Sequence, residues 1–339
     1  MMDPVAAHPA TAAARPLAPG AALLRAAPRL RWQRAALLIA AFFALWLALQ
    51  ILFGLPLLFL VSALVPATPQ LFSHGDGANV SLTTLTGCIL ALGMALGAVV
   101  AVTLLRRWGA PTLAALGLRR ESTWAREIAL GAALGPLAFG LVLALELACG
   151  WATVDRGSIG PGGLLLGVLS CTGVAVNEEI VFRGFVLQVL GRAWNPRGAL
   201  IASSLLFAAM HSLNPNATPV AIACLVVAGL ALAWGFFATG RLWLPIALHW
   251  SWNLAQGPLF GFPVSGVPDA AILAVTSSGP AWATGGAFGP EASVLGLLAE
   301  VLLILVILGW RRAGASGAAT TATALGGLAG LAFLVVMTR

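Results

Sequence analysis

The sequence predicts an all-α, polytopic membrane helix bundle, and three observations carry that prediction. Sixty per cent of the 339 residues are hydrophobic and 9% are charged, with a mean hydropathy of +0.97. That is too little polar surface to coat a water-soluble globule of this length. Apolar runs of bilayer-crossing length, about 20 residues at 1.5 Å each, follow one another along the chain. Finally, the basic residues fall between those runs, nearly all on one side if the runs cross alternately.

Taken in order, residues 1–34 are rich in Ala, Pro and Arg and read as a disordered cytoplasmic tail, with 35–339 as the bundle. The apolar run from Ala35 to about Val65 is too long for a signal-peptide core and reads as a retained anchor. Candidate crossings lie near 36–64, 82–105, 128–149, 162–190, 198–213, 218–239, 242–257, 293–310 and 319–337. Two of them, 198–213 and 242–257, are short, and the last is weakened by Gly and Thr, so eight or nine crossings are expected. The stretch 258–292, rich in Gly, Pro and Ser, suits an irregular outer loop. With nine crossings, fifteen of the eighteen arginines fall on one side, Arg156 and Arg339 on the other, and Arg183 within a span. The positive-inside rule then puts the N-terminus in the cytoplasm. The absence of Lys and Tyr beside abundant Gly and Ala suits a GC-rich bacterial coding bias, and so a bacterial inner membrane.

A pI near 11.1 suggests nucleic acid at first sight, but the arginines form short clusters between apolar runs rather than one basic face. Anionic lipid headgroups are the expected partner, and no nucleic acid. Cys88, Cys149, Cys171 and Cys224 show no CxxC spacing, which points to buried thiols rather than a disulfide framework or a zinc knuckle. A prenyltransferase is excluded by the lack of Asp-rich diphosphate motifs.

An ionised side chain in mid-membrane costs roughly 2.5–3.5 kcal/mol on insertion scales, so each one needs a partner or a task. Adjacent Glu178 and Glu179 lie in the 162–190 run with Arg183. Residues four apart share a helix face, so Glu179 is expected to pair with Arg183. Glu178 projects about 100° away and is left as the carboxylate free to act as general acid or base. His211 ends the 198–213 run, and His249 and Asn253 share a face four residues apart in the 242–257 run. Counted from the inner ends, these groups lie at matching depths, which predicts one cavity inside the bundle, reached from the cytoplasmic side. Phe207 reads as packing around it, Glu146 as interfacial, and Glu300 has no evident role.

The pattern Glu178-Glu179-x-x-x-Arg183, Phe207-x-x-x-His211, His249-x-x-x-Asn253, in this order on successive membrane helices, resembles the CPBP family of CAAX proteases and bacteriocin-processing enzymes, also called Abi. The resemblance covers about 160–255, with Leu116-Gly117-Leu118-Arg119 similar to the family's lead-in. It implies a CAAX-type intramembrane endopeptidase acting near the C-terminus of a peptide or protein, prenylated or not. It also implies that Glu178 with His211 activates a water, that His249 and Asn253 hold the oxyanion, and that Glu179 and Arg183 support them. No cofactor is required in that scheme. Zinc is the open alternative, with Glu178, His211 and His249 as ligands, although no HExxH is present.

Two other classes compete. A proton-coupled transporter also uses intramembrane Glu, Arg and His, but would show two similar halves, whereas these groups come from one block of the chain. An immunity-type binding protein that keeps the bundle would be expected to have degenerate motifs, and these are intact.

Overall fold

The computed structural model describes residues 18–54, 56, 59 and 82–313. Nine helices dominate them. Helix α1 is Pro19–Ala26, α2 is Trp32–Leu49, α3 is Leu82–Leu105 and α4 is Trp124–Ala148. Helix α5 runs over Pro161–Ala193, α6 over Pro196–Met210, α7 over Pro219–Thr239, α8 over Trp243–Leu254 and α9 over Val294–Ala313. Of the spans expected from the sequence, the ninth lies outside the described residues. Six described helices are long and apolar enough to cross a membrane; α6 and α8 are not. Leu37, Leu96, Leu165, Leu205 and Leu305 are each more than half exposed on the outside of the bundle, as a surface facing lipid requires. The chain is an integral membrane protein.

Local sequence explains the helix ends. Asn195 and Thr218 cap α6 and α7, their side chains accepting from the N–H groups of Gly198 (2.8 Å) and Ala221 (3.1 Å), and each is followed by Pro at the first helical position. Gly240, at φ 70°, closes α7 in the left-handed conformation that favours glycine.

Within the 1–34 stretch expected to be a disordered tail, the described residues 18–34 include α1 and the start of α2. Gly20, Ala21 and Leu24 of α1 are buried, and a Cβ on Gly20 would stand 2.7 Å from the Phe236 carbonyl oxygen of α7. The expected irregular outer loop is partly regular. Strand β1, Ala152–Arg156, pairs antiparallel with β2, Leu273–Ser277, with Val154 opposite Val275. Glu146 lies buried beneath this ribbon, its Oε2 accepting from Ser277 Oγ at 2.7 Å.

The arginine-bearing end is closed by a polar node that sequence reading missed. Arg241, in the α7–α8 turn, pairs with fully buried Glu127 of α4 and with Glu121, and its Nε lies 2.9 Å from Glu127 Oε1. These hydrogen-bonded carboxylates hold the Arg241 guanidinium above its ordinary pKa. Gly117, at φ 104°, packs against this turn and its carbonyl accepts from Leu242 N–H at 3.1 Å, so the Leu116–Arg119 segment belongs to the same clasp.

The candidate active site

Three helices deliver the polar groups, and in each the α-helical ladder changes where it delivers them. In α5 a π-helical segment, Glu179–Val186, begins directly after Glu178. In α6 the helix gives way to a 3-10 turn at His211–Leu213. In α8 a π turn, Ala255–Leu259, follows Asn253 closely. Such irregularities recur at functional sites because they redirect side chains. Residue types alone do not signal them, so periodicity could not find them.

Glu179 is fully buried and its Oε1 takes two bonds, from Arg183 Nη1 at 2.7 Å and from His249 Nδ1 at 2.9 Å. The expected pair with Arg183 is present, and the bond to α8 is an addition. Arg183 also donates to the Gly229 carbonyl of α7 at 3.1 Å and lies over the Phe207 ring at 4.4 Å. Phe207 thus does more than fill space: it covers the guanidinium with a π face. Beside this node, Trp46 of α2 donates to Asn177 Oδ1 at 3.1 Å, tying the residue before Glu178 to the first long helix.

Glu178 has different surroundings. Its Oε2 is buried without a hydrogen-bond partner among the described residues. It stands 3.9 Å from His211 Nε2 and 3.8 Å from His249 Nε2. Both imidazoles are pinned through their other nitrogen. The Nδ1 of His211 lies 2.8 Å from the Phe207 carbonyl oxygen, which only accepts, so Nδ1 carries a proton there. The Nδ1 of His249 likewise meets the Glu179 carboxylate. Two Nε2 atoms and one carboxylate oxygen therefore converge, each held by a second layer of bonds.

Glu178, His211, His249 and Asn253 line one cavity of about 700 Å³, together with Phe207 and Trp252. The Asn253 side chain has no hydrogen bond among the described residues and lines the cavity. The remaining walls include Val264, Ser265 and Asp269 of the β1–β2 end, Glu291, and Glu300 of α9. These belong to the end of the bundle opposite the arginines. The cavity thus lies beneath the 258–292 segment, away from the Arg241 node. Glu291 links this segment to the site, accepting from Ser265 N–H at 2.6 Å and Ser265 Oγ at 2.9 Å. Burial pushes the Glu291 carboxyl above its ordinary pKa, against those hydrogen bonds. Neither Glu291 nor Glu300 was singled out for the site from sequence, because neither sits in a motif.

Residues 160–255 match the family model described as type II CAAX prenyl endopeptidase Rce1-like. No curated protein matches the chain. The matched segment contains every one of the converging groups on α5, α6 and α8.

Proposed function

We propose, from the Rce1-like character of residues 160–255, that the protein is an endopeptidase that hydrolyses a peptide bond near the C-terminus of a protein or peptide substrate, prenylated or not. One observation carries this reading: the unpartnered Glu178 Oε2 faces two imidazole Nε2 atoms at 3.8 and 3.9 Å. A water beside these three atoms, at about 2.8 Å from the carboxylate oxygen, would bridge it to the imidazoles. Glu178 takes a proton from that water as its oxygen attacks the peptide carbonyl carbon, and delivers the proton to the leaving nitrogen as the C–N bond breaks. His211, with Nδ1 committed to the Phe207 carbonyl, orients the water through Nε2. The Asn253 amide and His249 Nε2–H donate to the oxyanion, with His249 then carrying a proton on each nitrogen. Glu179 and Arg183 fix the His249 ring from behind.

Zinc held by Glu178, His211 and His249 is the alternative. Two ligand atoms on a tetrahedral ion with arms of about 2.0–2.1 Å stand about 3.4 Å apart, closer than the spacings to Glu178 here. Among the described residues no group of three His, Cys, Asp or Glu is disposed to hold a metal ion. The metal-free scheme is the one proposed, and no step above runs through zinc. Full activity after chelation, in protein without bound zinc, is the expected result; activity lost on chelation and restored by zinc would overturn it.

The arginine asymmetry supports an N-terminus in the cytoplasm of a bacterial inner membrane, with anionic lipids against the basic end. The deciding experiment uses detergent-purified protein and a quenched fluorescent, prenylated CAAX-type peptide, with Glu178→Gln run alongside at equal fold quality. Cleavage by the wild type and a loss of at least ~100-fold in the variant are expected, the usual scale for a general base. Equal rates would remove Glu178 from the chemistry.

A further inference from the structure

The cavity has a charge character of its own. Apart from the two imidazoles and the Cys171 thiol, its ionisable lining is acidic: Glu178, Asp269, Glu291 and Glu300 line it, and no arginine does among the described residues. This occurs in a chain of formal net charge +7.

Glu300 is the residue that internal packing leaves unexplained. It is 1% exposed, and neither carboxylate oxygen has a hydrogen-bond partner among the described residues. Glu291 has Ser265 and Trp252 as donors, whereas Glu300 has only the like charge of Glu291 acting on it. Glu291 in turn lies within electrostatic reach of His211, so the acidic wall is continuous with the candidate reacting centre. A carboxyl group withdrawn from water without a donor is less favourable than an apolar side chain of the same size. Leu303 beside it on α9 lines the same cavity without that cost. A cationic group entering the cavity would supply the missing donor and neutralise the repulsion between the two carboxylates. A terminal carboxylate would meet like charge on that wall.

We propose that Glu300, with Glu291 and Asp269, forms a subsite for a cationic group of the substrate, an ammonium or a guanidinium, and so selects peptides with a basic residue. The word substrate rests on the endopeptidase reading; the subsite itself does not.

Binding without turnover separates the two. Glu178→Gln protein in lipid nanodiscs is titrated with fluorescent, lipidated heptapeptides, N-terminally acetylated, in which one Lys is moved through each position. Matched peptides carry Nε-acetyl-lysine. Arginine peptides and a set with a free N-terminus distinguish guanidinium, side-chain ammonium and terminal ammonium. At one position or more the cationic peptide is expected to bind at least ~10-fold more tightly than its neutral partner, the scale of one charge-assisted contact. Adding Glu300→Gln should bring that ratio close to one. If Glu300→Gln does not fold, Asp269→Asn at the exposed rim should lower the ratio instead. Equal binding of cationic and neutral peptides everywhere, no binding of any peptide, or a ratio untouched by these variants would overturn the subsite. Cation-selective binding with no cleavage by the wild type would leave the subsite standing and remove the endopeptidase reading. Equal cleavage of cationic and neutral peptides would do the reverse.

Discussion

Glu178 and Glu179 are neighbours in sequence, and their partners separate their roles. Glu179 has a guanidinium and an imidazole on one oxygen, while Glu178 has only two Nε2 atoms at a water's distance. The first half of this was readable from sequence, because residues four apart on a helix must be neighbours. The bond from His249, seventy positions away, was not readable, since nothing local dictates which helix packs opposite. Removing one member of a buried pair leaves an uncompensated charge, which costs about 3–5 kcal/mol. Arg183→Ala should therefore lower stability by that amount, read as a large drop in thermal or denaturant midpoint in detergent. It should also reduce activity by freeing the His249 ring. Arg183→Lys should recover only part of both, because one ammonium cannot span Glu179, Gly229 and the Phe207 face together. Stability unchanged in Arg183→Ala would show that the Glu179–Arg183 pair does not hold the fold together.

At the scale of elements, the position of α8 depends on two glycines of α4. A Cβ on Gly135 would stand 2.2 Å from the Ser251 carbonyl carbon, and one on Gly131 would stand 2.7 Å from Leu248 N. Glycines four apart let two membrane helices approach to backbone contact. Ser251, between His249 and Asn253, uses that closeness: its hydroxyl donates to the Gly131 carbonyl at 2.7 Å and accepts from Gly135 N–H at 3.2 Å. Gly135→Ala should push α8 outward, costing about 1–3 kcal/mol through overpacking. It should also lower activity more than Gly93→Ala, where a Cβ meets nothing within 4 Å. Equal effects of the two substitutions would show that α8 is not positioned by this contact. The high Gly content pointed to close helix packing, but only the assembled pair identifies which glycines are in contact. The π segments of α5 and α8 escaped sequence reading because a π turn uses the same side chains as an α turn.

For the whole molecule, orientation is the open physical question and a native thiol can answer it. Cys149 follows α4 at the end that carries β1 and is exposed, whereas Cys88, Cys171 and Cys224 are buried. With the arginines in the cytoplasm, a membrane-impermeant maleimide added to intact cells should label Cys149, and Cys149→Ser should abolish the labelling. Labelling only after permeabilisation would invert the topology and place the cavity on the cytoplasmic side.

The sequence by itself determined the membrane class, the positions of most spans and the chemically loaded residues. It could do so because the cost of a charge in hydrocarbon makes each intramembrane Glu, Arg or His conspicuous without a structure. It also determined the Glu179–Arg183 pair, a matter of helix geometry alone. The side on which the cavity lies, the closure of the other end by Arg241 and Glu127, and the presence of Glu291 and Glu300 in the cavity wall depended on the folded arrangement. These are contacts between segments far apart in the chain, set by which helix faces fit together, and hydropathy along one helix carries no record of that fit.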